Sequence, residues 1–264
     1  MCSSDLDPSD RGRRFARFRA EQGEQLARFC LFSSLSEHLA RESSHATDST
    51  AWPQELHDPA GAAAVTFAKE HQRDLEFHAY LQWIAKEQLE EVQRRATQAG
   101  MRIGLLRDLA VGVAQESVDA WEAPELFATG VHTGAPPDDF SPRGQDWGLP
   151  PPSPRRLDEA HLEPFIQAVR HNMRHAGGLR VDHVMGLYRL FWVPPEGGPK
   201  EGTYVHYDAD ALFGVVALES HRQRCLIIGE DLGTVPDEVR RRMARHGLYS
   251  TRIAWFEQIG RAHV

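Results

Sequence analysis

The sequence runs to 264 residues, 41% hydrophobic and 26% charged, enough for one large domain or two small ones, and long enough for a complete eight-stranded parallel barrel of about 250 residues. Thirty basic side chains against thirty-eight acidic ones give a net charge of -8, the wrong sign for a surface that tracks phosphates, which argues against nucleic acid as a partner. No apolar run approaches the roughly 18 residues of a membrane span, no apolar segment follows the N-terminal charges, and Cys2, Cys30 and Cys225 form no Cys-x-x-Cys, so the expectation is a cytoplasmic protein without a membrane partner, a disulfide framework or a zinc knuckle.

Residues 1–60 are rich in Arg, Ser, Glu and His and end in the turn-forming Asp58-Pro59-Ala60-Gly61; they read as one or two peripheral helices with loose ends. From Phe77 to Gln98, Tyr80, Leu81, Ile84, Leu89 and Val92 recur at helical spacing, with Asp74 upstream as a cap and Gly100 as a stop. Met101 to Leu106 then suits a strand buried on both faces. The same helix, glycine, strand order recurs twice, Leu162 to Met173 before Gly177-Gly178 and Leu179 to Val184, and a helix entered through Thr234 to Asp237 and ended by Gly247 before Leu248 to Phe256; between these a helix from Ala209 to Ser220 precedes Cys225 to Ile228. Four strands, each following a helix, imply parallel right-handed crossovers. An open doubly wound sheet is the alternative, but no Gly-x-Gly-x-x-Gly follows any strand.

The connection over residues 109–160 is the longest, with eleven Gly or Pro between Gly130 and Pro154 and the aromatics Trp121, Phe127, Phe140 and Trp147. It is expected to form part of a site. Asp108, Asp182 and Glu230 each fall at a strand end, where parallel barrels build their active sites. Alternation puts Arg180 and Asp182 on one strand face, and the guanidinium would keep Asp182 ionised as a nucleophile requires. Partial burial and the charge on Asp182 would keep Glu230 protonated as a general acid, with Gly229 leaving space beside it. Two carboxyls so contrasted suit glycosidic bond chemistry.

Five motifs, DLAVGV (108–113), GAPPDDF (134–140), GQDWGLPP (144–151), GLRVDHVMGLYRLFWVP (178–194) and IIGEDLGTVP (227–236), resemble the 4-alpha-glucanotransferases, the amylomaltases or disproportionating enzymes of glycoside hydrolase family 77, relatives of the alpha-amylases. The likeness runs from Phe77 to Glu257. It implies an α/β fold of the (β/α)8 TIM-barrel type, with Asp182 as nucleophile, Glu230 as acid/base and Arg180 beside the nucleophile. Asp108 matches a supporting acid on the third barrel strand, and Asp138, Gln145 and Trp147 fall in the loop that covers the bound glucan. His183, in the same motif as Asp182, joins these as a substrate-binding candidate. The implied partner is a maltooligosaccharide or a starch- or glycogen-type alpha-glucan, with no metal or organic cofactor.

Members of the family also carry a third acid in a His-Asp motif after the seventh strand. No His-Asp pair lies downstream of Glu230 here, and the upstream His57-Asp58 has no strand pattern around it. The expectation is therefore a fragment: an N-terminal segment over 1–60 that is helical or loose, and over 61–264 an incomplete barrel of about strands 3 to 6, with open edges prone to association and no turnover of its own. Two further readings remain, an amylase-class alpha-glucan hydrolase and a non-catalytic glucan-binding remnant. His171 and His175, four residues apart, are read as a solvated helix face rather than metal ligands, and Cys225 as core.

Overall fold

A computed structural model describes residues 9–42, 48–139 and 141–254; Cys2, Phe140 and the expected strand residues Trp255 and Phe256 lie outside them. Contacts group the chain into two compact units, Met1–Glu91 with Gln115–Pro124, and Val92–Ala114 with Glu125–Val264.

The first unit is helical. Its α1 (Asp10–Glu42) is two helical runs joined at Gly23, whose φ of 56° and ψ of -137° fall where only glycine is at ease. α2 (Ala62–Glu70) follows the Asp58 turn, in which the carboxylate accepts the Ala60 N–H at 2.8 Å. α3 (Gln72–Gln98) starts before Asp74, which pairs with His71 at 3.1 Å instead of capping the helix. The short α4 (Val118–Glu122) is capped by Ser117. Phe15, Phe18, Cys30, Ala79 and Trp83 form one core cluster, and Leu31, Leu35, Trp52, Ala64 and Trp121 another. Trp121, expected in a site-forming loop, is thus a core residue here, and its indole N–H donates to the Leu56 carbonyl at 2.8 Å.

The second unit holds two sheets. β1 (Leu106–Leu109), β4 (Gly178–Val181), β7 (Leu226–Gly229) and β8 (Tyr249–Ser250) form a parallel sheet in chain order. α6 (Glu163–Met173) precedes β4, α7 (Ala209–Gln223) precedes β7 and α8 (Asp237–Arg245) precedes β8. Sequential parallel strands separated by helices are the barrel arrangement, whereas a doubly wound sheet reverses its strand order midway. Val169, Met173, Leu179, Val181, Phe213, Val216, Ile227, Val239 and Met243 fill the core between these helices and the sheet. Cys225 is in this core, and burial pushes its thiol up to about 11.

Three expectations need correction. The strand placed at Met101–Leu106 runs instead from Leu106 to Leu109, because Gly104 turns with a φ of 78° and the Gln93 side chain holds the Ile103 carbonyl and the Leu105 N–H at 3.0 and 2.7 Å. Nor is that segment buried on both faces, since Met101, Ile103 and Leu106 are exposed. The connection over 109–160 is also no simple loop: β2 (His132–Ala135) and β3 (Gln145–Leu149) lie in it and join β5 (Arg189–Val193) and β6 (Thr203–His206) in an antiparallel sheet ordered β3-β2-β5-β6. α5 (Pro154–Glu159) closes the connection. Finally, α6 ends at Met173 and His175 has a φ of 57°, so His171 and His175 do not share a helix face. Among the described residues no cluster of three or more His, Cys, Asp or Glu is arranged to hold a metal ion, and no helix is long and apolar enough to cross a membrane.

Candidate active site

The ladder of the parallel sheet continues one residue past its strands. Asp182 N–H donates to the Leu109 carbonyl and Glu230 N–H to the Val181 carbonyl, each at 2.9 Å. Asp182 and Glu230 therefore leave neighbouring strands at the same level, at the C-terminal edge where barrel enzymes carry their functional groups. Register also sets Asp108 directly beside Arg180.

Arg180 ties the acids of β1 and β4 together. Its Nη1 donates to both Asp108 oxygens at 2.8 Å and its Nη2 to Asp182 Oδ1 at 2.6 Å. The pairing of Arg180 with Asp182 expected from strand alternation is present, although β4 ends at Val181 and Asp182 already lies in the turn. Burial works against the guanidinium's charge, but its hydrogen bonds to Asp108 and Asp182 outweigh it and hold the pKa above the ordinary value.

Glu230 is held by main-chain donors. Its Oε2 accepts the His183 N–H at 3.2 Å and its Oε1 the Leu232 N–H at 2.9 Å. His183 is one of the few non-glycine residues with positive φ, at 45°, a conformation that costs energy and clusters at functional sites. The turn it makes aims its N–H at Glu230 and its ring at Trp147, edge to face with centroids 5.2 Å apart. Burial lowers the His183 pKa, against the opposing pull of Glu230 and Asp182. The ring Nε2 is buried without a hydrogen-bond partner.

A cleft of about 380 Å³ opens over these groups, lined by Ala110, Val111, Trp147, Leu149, Asp182, His183 and Glu230. Four of the expected site residues, Asp182, His183, Glu230 and Trp147, share this lining, and Asp108 and Arg180 adjoin it through the ion pairs. Gln145 lies outside the lining and accepts the Trp147 indole N–H at 3.0 Å. Asp138 is not brought to the cleft: its carboxylate accepts the Ser141 N–H at 2.6 Å within its own turn. Gly229 leaves no space beside Glu230 either. A Cβ there would meet Met243 Cε at 2.7 Å and Val184 Cγ2 at 2.9 Å, so the missing side chain admits core atoms rather than substrate. Ala110, Val111 and Leu149 had not been singled out, though all three fall in the quoted motifs.

Sequential parallel strands with two carboxylates in one cleft at their C-terminal edge define a (β/α)-barrel enzyme fold, incomplete at four strands among the described residues. The chain belongs to the glycoside hydrolase 77 family, described as 4-alpha-glucanotransferase, whose model matches residues 3–263. It is 43% identical over 244 residues to a 4-alpha-glucanotransferase of Mycobacterium tuberculosis, covering 92% of this chain and 33% of that protein. With one from Haemophilus influenzae the identity is 40% over 247 residues, covering 92% and 35%. The crystal structure of amylomaltase from Corynebacterium glutamicum superposes with a TM-score of 0.82 at 36% identity, over 98% of this chain and 34% of that one. The amylomaltase from Streptococcus agalactiae in complex with acarbose shares the fold, with a TM-score of 0.80 at 22% identity, over 93% and 49%. The chain thus spans about a third of the length of these two curated relatives.

Proposed function

We propose that this chain carries the nucleophile and the acid/base of a retaining 4-alpha-glucanotransferase. The observation that carries this reading is the shared cleft of Asp182 and Glu230, with Arg180 on the first and two backbone N–H groups on the second. Glu230 protonates the leaving glycosidic oxygen while Asp182 attacks the anomeric carbon. The deprotonated Glu230 then takes the proton of the 4-hydroxyl of an incoming sugar as that oxygen displaces Asp182. Asp108 supports the site through Arg180. Trp147 offers a flat apolar face to a sugar ring, held by Gln145, and the unpartnered Nε2 of His183 bonds a sugar hydroxyl. Asp138, in the turn between β2 and β3, and the antiparallel sheet belong to the cover over the glucan. Within the domain reading, residues 1–60 are the helical or loose N-terminal segment and 61–264 the partial barrel with its covering loop, although α2, α4 and most of α3 belong to the helical unit. The cytoplasmic location belongs to the same reading and is supported by the free, buried Cys30 and Cys225.

Titration of the chain with maltoheptaose, followed by incubation with maltotriose, tests the assignment. Binding is expected, weakened about threefold to tenfold in Trp147→Ala by loss of the aromatic face. Longer oligosaccharides that disappear in Asp182→Asn and Glu230→Gln establish transfer. Glucose without longer products means hydrolysis, and binding without turnover limits this chain to the binding part of the cycle. Absence of binding refutes the glucan reading.

A further inference from the structure

Directly after Glu230 stands an acid that the proposed reaction leaves without a role. Asp231 is only 3% exposed, yet its carboxylate is fully engaged: Oδ2 accepts from Arg240 Nε at 3.0 Å and Ser250 Oγ at 2.6 Å, and Oδ1 from the Thr251 N–H at 2.9 Å. Burial alone would raise its pKa, but these hydrogen bonds hold it below the usual carboxylate range. Arg240 then reaches back. Its Nη2 donates to the Asp231 carbonyl at 3.0 Å and its Nη1 to the Val235 carbonyl at 3.1 Å.

The geometry of one peptide unit connects this clamp to the cleft. The Asp231 carbonyl and the Leu232 N–H belong to the same planar trans amide, so fixing one fixes the direction of the other. The Leu232 N–H is the donor that meets Glu230 Oε1 at 2.9 Å. A carboxylate held from one side only, by the His183 N–H, would be free to swing about its terminal torsion, which is broad. The second donor removes that freedom.

We propose that Asp231 and Arg240 are positioning residues for Glu230. The buried carboxylate orients the guanidinium, the guanidinium grips the Asp231 carbonyl, and the rigid amide aims the Leu232 N–H at the Glu230 carboxylate. The inference rests on the reading of Glu230 as the acid/base. Neither residue touches the cleft, so their effect on chemistry passes entirely through the hydrogen bond at Oε1.

Amide proton shifts of the 264-residue chain, followed by NMR as pH is lowered, test this without need of turnover. In the unaltered chain the Leu232 and His183 amides should both move as Glu230 takes up its proton, and Glu230→Gln should abolish that component, which separates it from titration of the His183 ring. In Arg240→Met the Leu232 displacement should fall by about half or more, as for a hydrogen bond turned off its preferred angle, while that of His183 persists. Asp231→Asn should act in the same direction. Should Asp231→Asn fail to fold, Arg240→Met alone decides. Ser250→Ala is the control for mere loosening: it removes a partner of Asp231 but leaves Arg240 in place, and should lower the melting temperature while leaving the Leu232 displacement intact. An unchanged Leu232 displacement in folded Arg240→Met, or an equal loss in Ser250→Ala, would overturn the proposal. Failure of the chain to bind maltoheptaose would instead overturn the reading of the site and leave these amide shifts as they are.

Discussion

Replacing Arg180 by methionine separates what the ion triad does for the fold from what it does for the site. Methionine keeps much of the apolar stem and removes the guanidinium with its three hydrogen bonds, to Asp108 and Asp182. Side-chain exposure is 33% for Arg180, 59% for Asp108 and 39% for Asp182, so water screens both pairs and each is worth about 0.5 kcal/mol. The two acids left behind are solvated for the same reason, and their repulsion adds little. The summed cost is about 1 kcal/mol, or about 2–4 °C in melting temperature. It should shrink in 1 M salt, where the Debye length falls to about 3 Å. Under the proposed function, leaving Asp182 without its orienting partner should lower measurable transfer about 100-fold. Thermal melts at low and high salt, with glucose release from maltotriose, make the comparison. A stability loss above about 3 kcal/mol, insensitive to salt, would refute the reasoning, because it would make the triad a buried structural pair.

The opposite behaviour is expected of Glu219, a 1% exposed carboxylate that accepts two hydrogen bonds from Arg170 and one from Arg222. Glu219→Ala should cost about 2 kcal/mol in urea denaturation without altering maltoheptaose binding. The bonds from Arg170, joined by that from Arg222, outweigh burial and hold the Glu219 pKa below the carboxylate range. Its contribution is thus complete above the unfolded value of about 4.3 and is lost as pH falls through the lower folded value, so the difference between parent and Glu219→Gln melting curves should close below pH 4.3. A difference that widens in acid would contradict this sign. Gly229→Ala should cost about 1–3 kcal/mol, since Met243 Cε can move but the branched Val184 cannot. Measured against a Met243→Ala background, the increment from Gly229→Ala should shrink only in part, because Val184 Cγ2 remains, and parent-like stability of Gly229→Ala alone would show that the core yields.

The later strands of the parallel sheet and the helices before them were legible because period and length agreed, with glycine stops ahead of β4 and β8. The acids at their ends followed from that order, and Arg180 from a two-residue alternation. Legibility stopped where pairing was non-local. β2 and β5 are antiparallel partners about sixty residues apart, His132 opposite Val193, and no local pattern in a stretch so rich in Gly and Pro announces such a ladder. Met101 to Leu106 misled because an apolar run does not reveal that Gly104 will turn and Gln93 will take the backbone bonds. Trp121 misled because an aromatic residue in a long connection carries no mark of which core receives it. Asp231 went unnoticed beside Glu230, since its partners Arg240, Ser250 and Thr251 are assembled only by folding.

The turn at His183 has a consequence for how such a site tolerates variation. The chain leaves β4 at Asp182, passes through that left-handed residue and the single 3-10 turn Val184–Leu187, and is at once in β5. β5 is therefore tethered to the carboxylates by a link too short to absorb a shift. β3, two ladders farther out, meets their cleft through Leu149 and through Trp147, which packs edge to face with His183. Substitutions and insertions on the outer strand leave the carboxylates where they are, whereas the same changes in β5 would displace Asp182 itself.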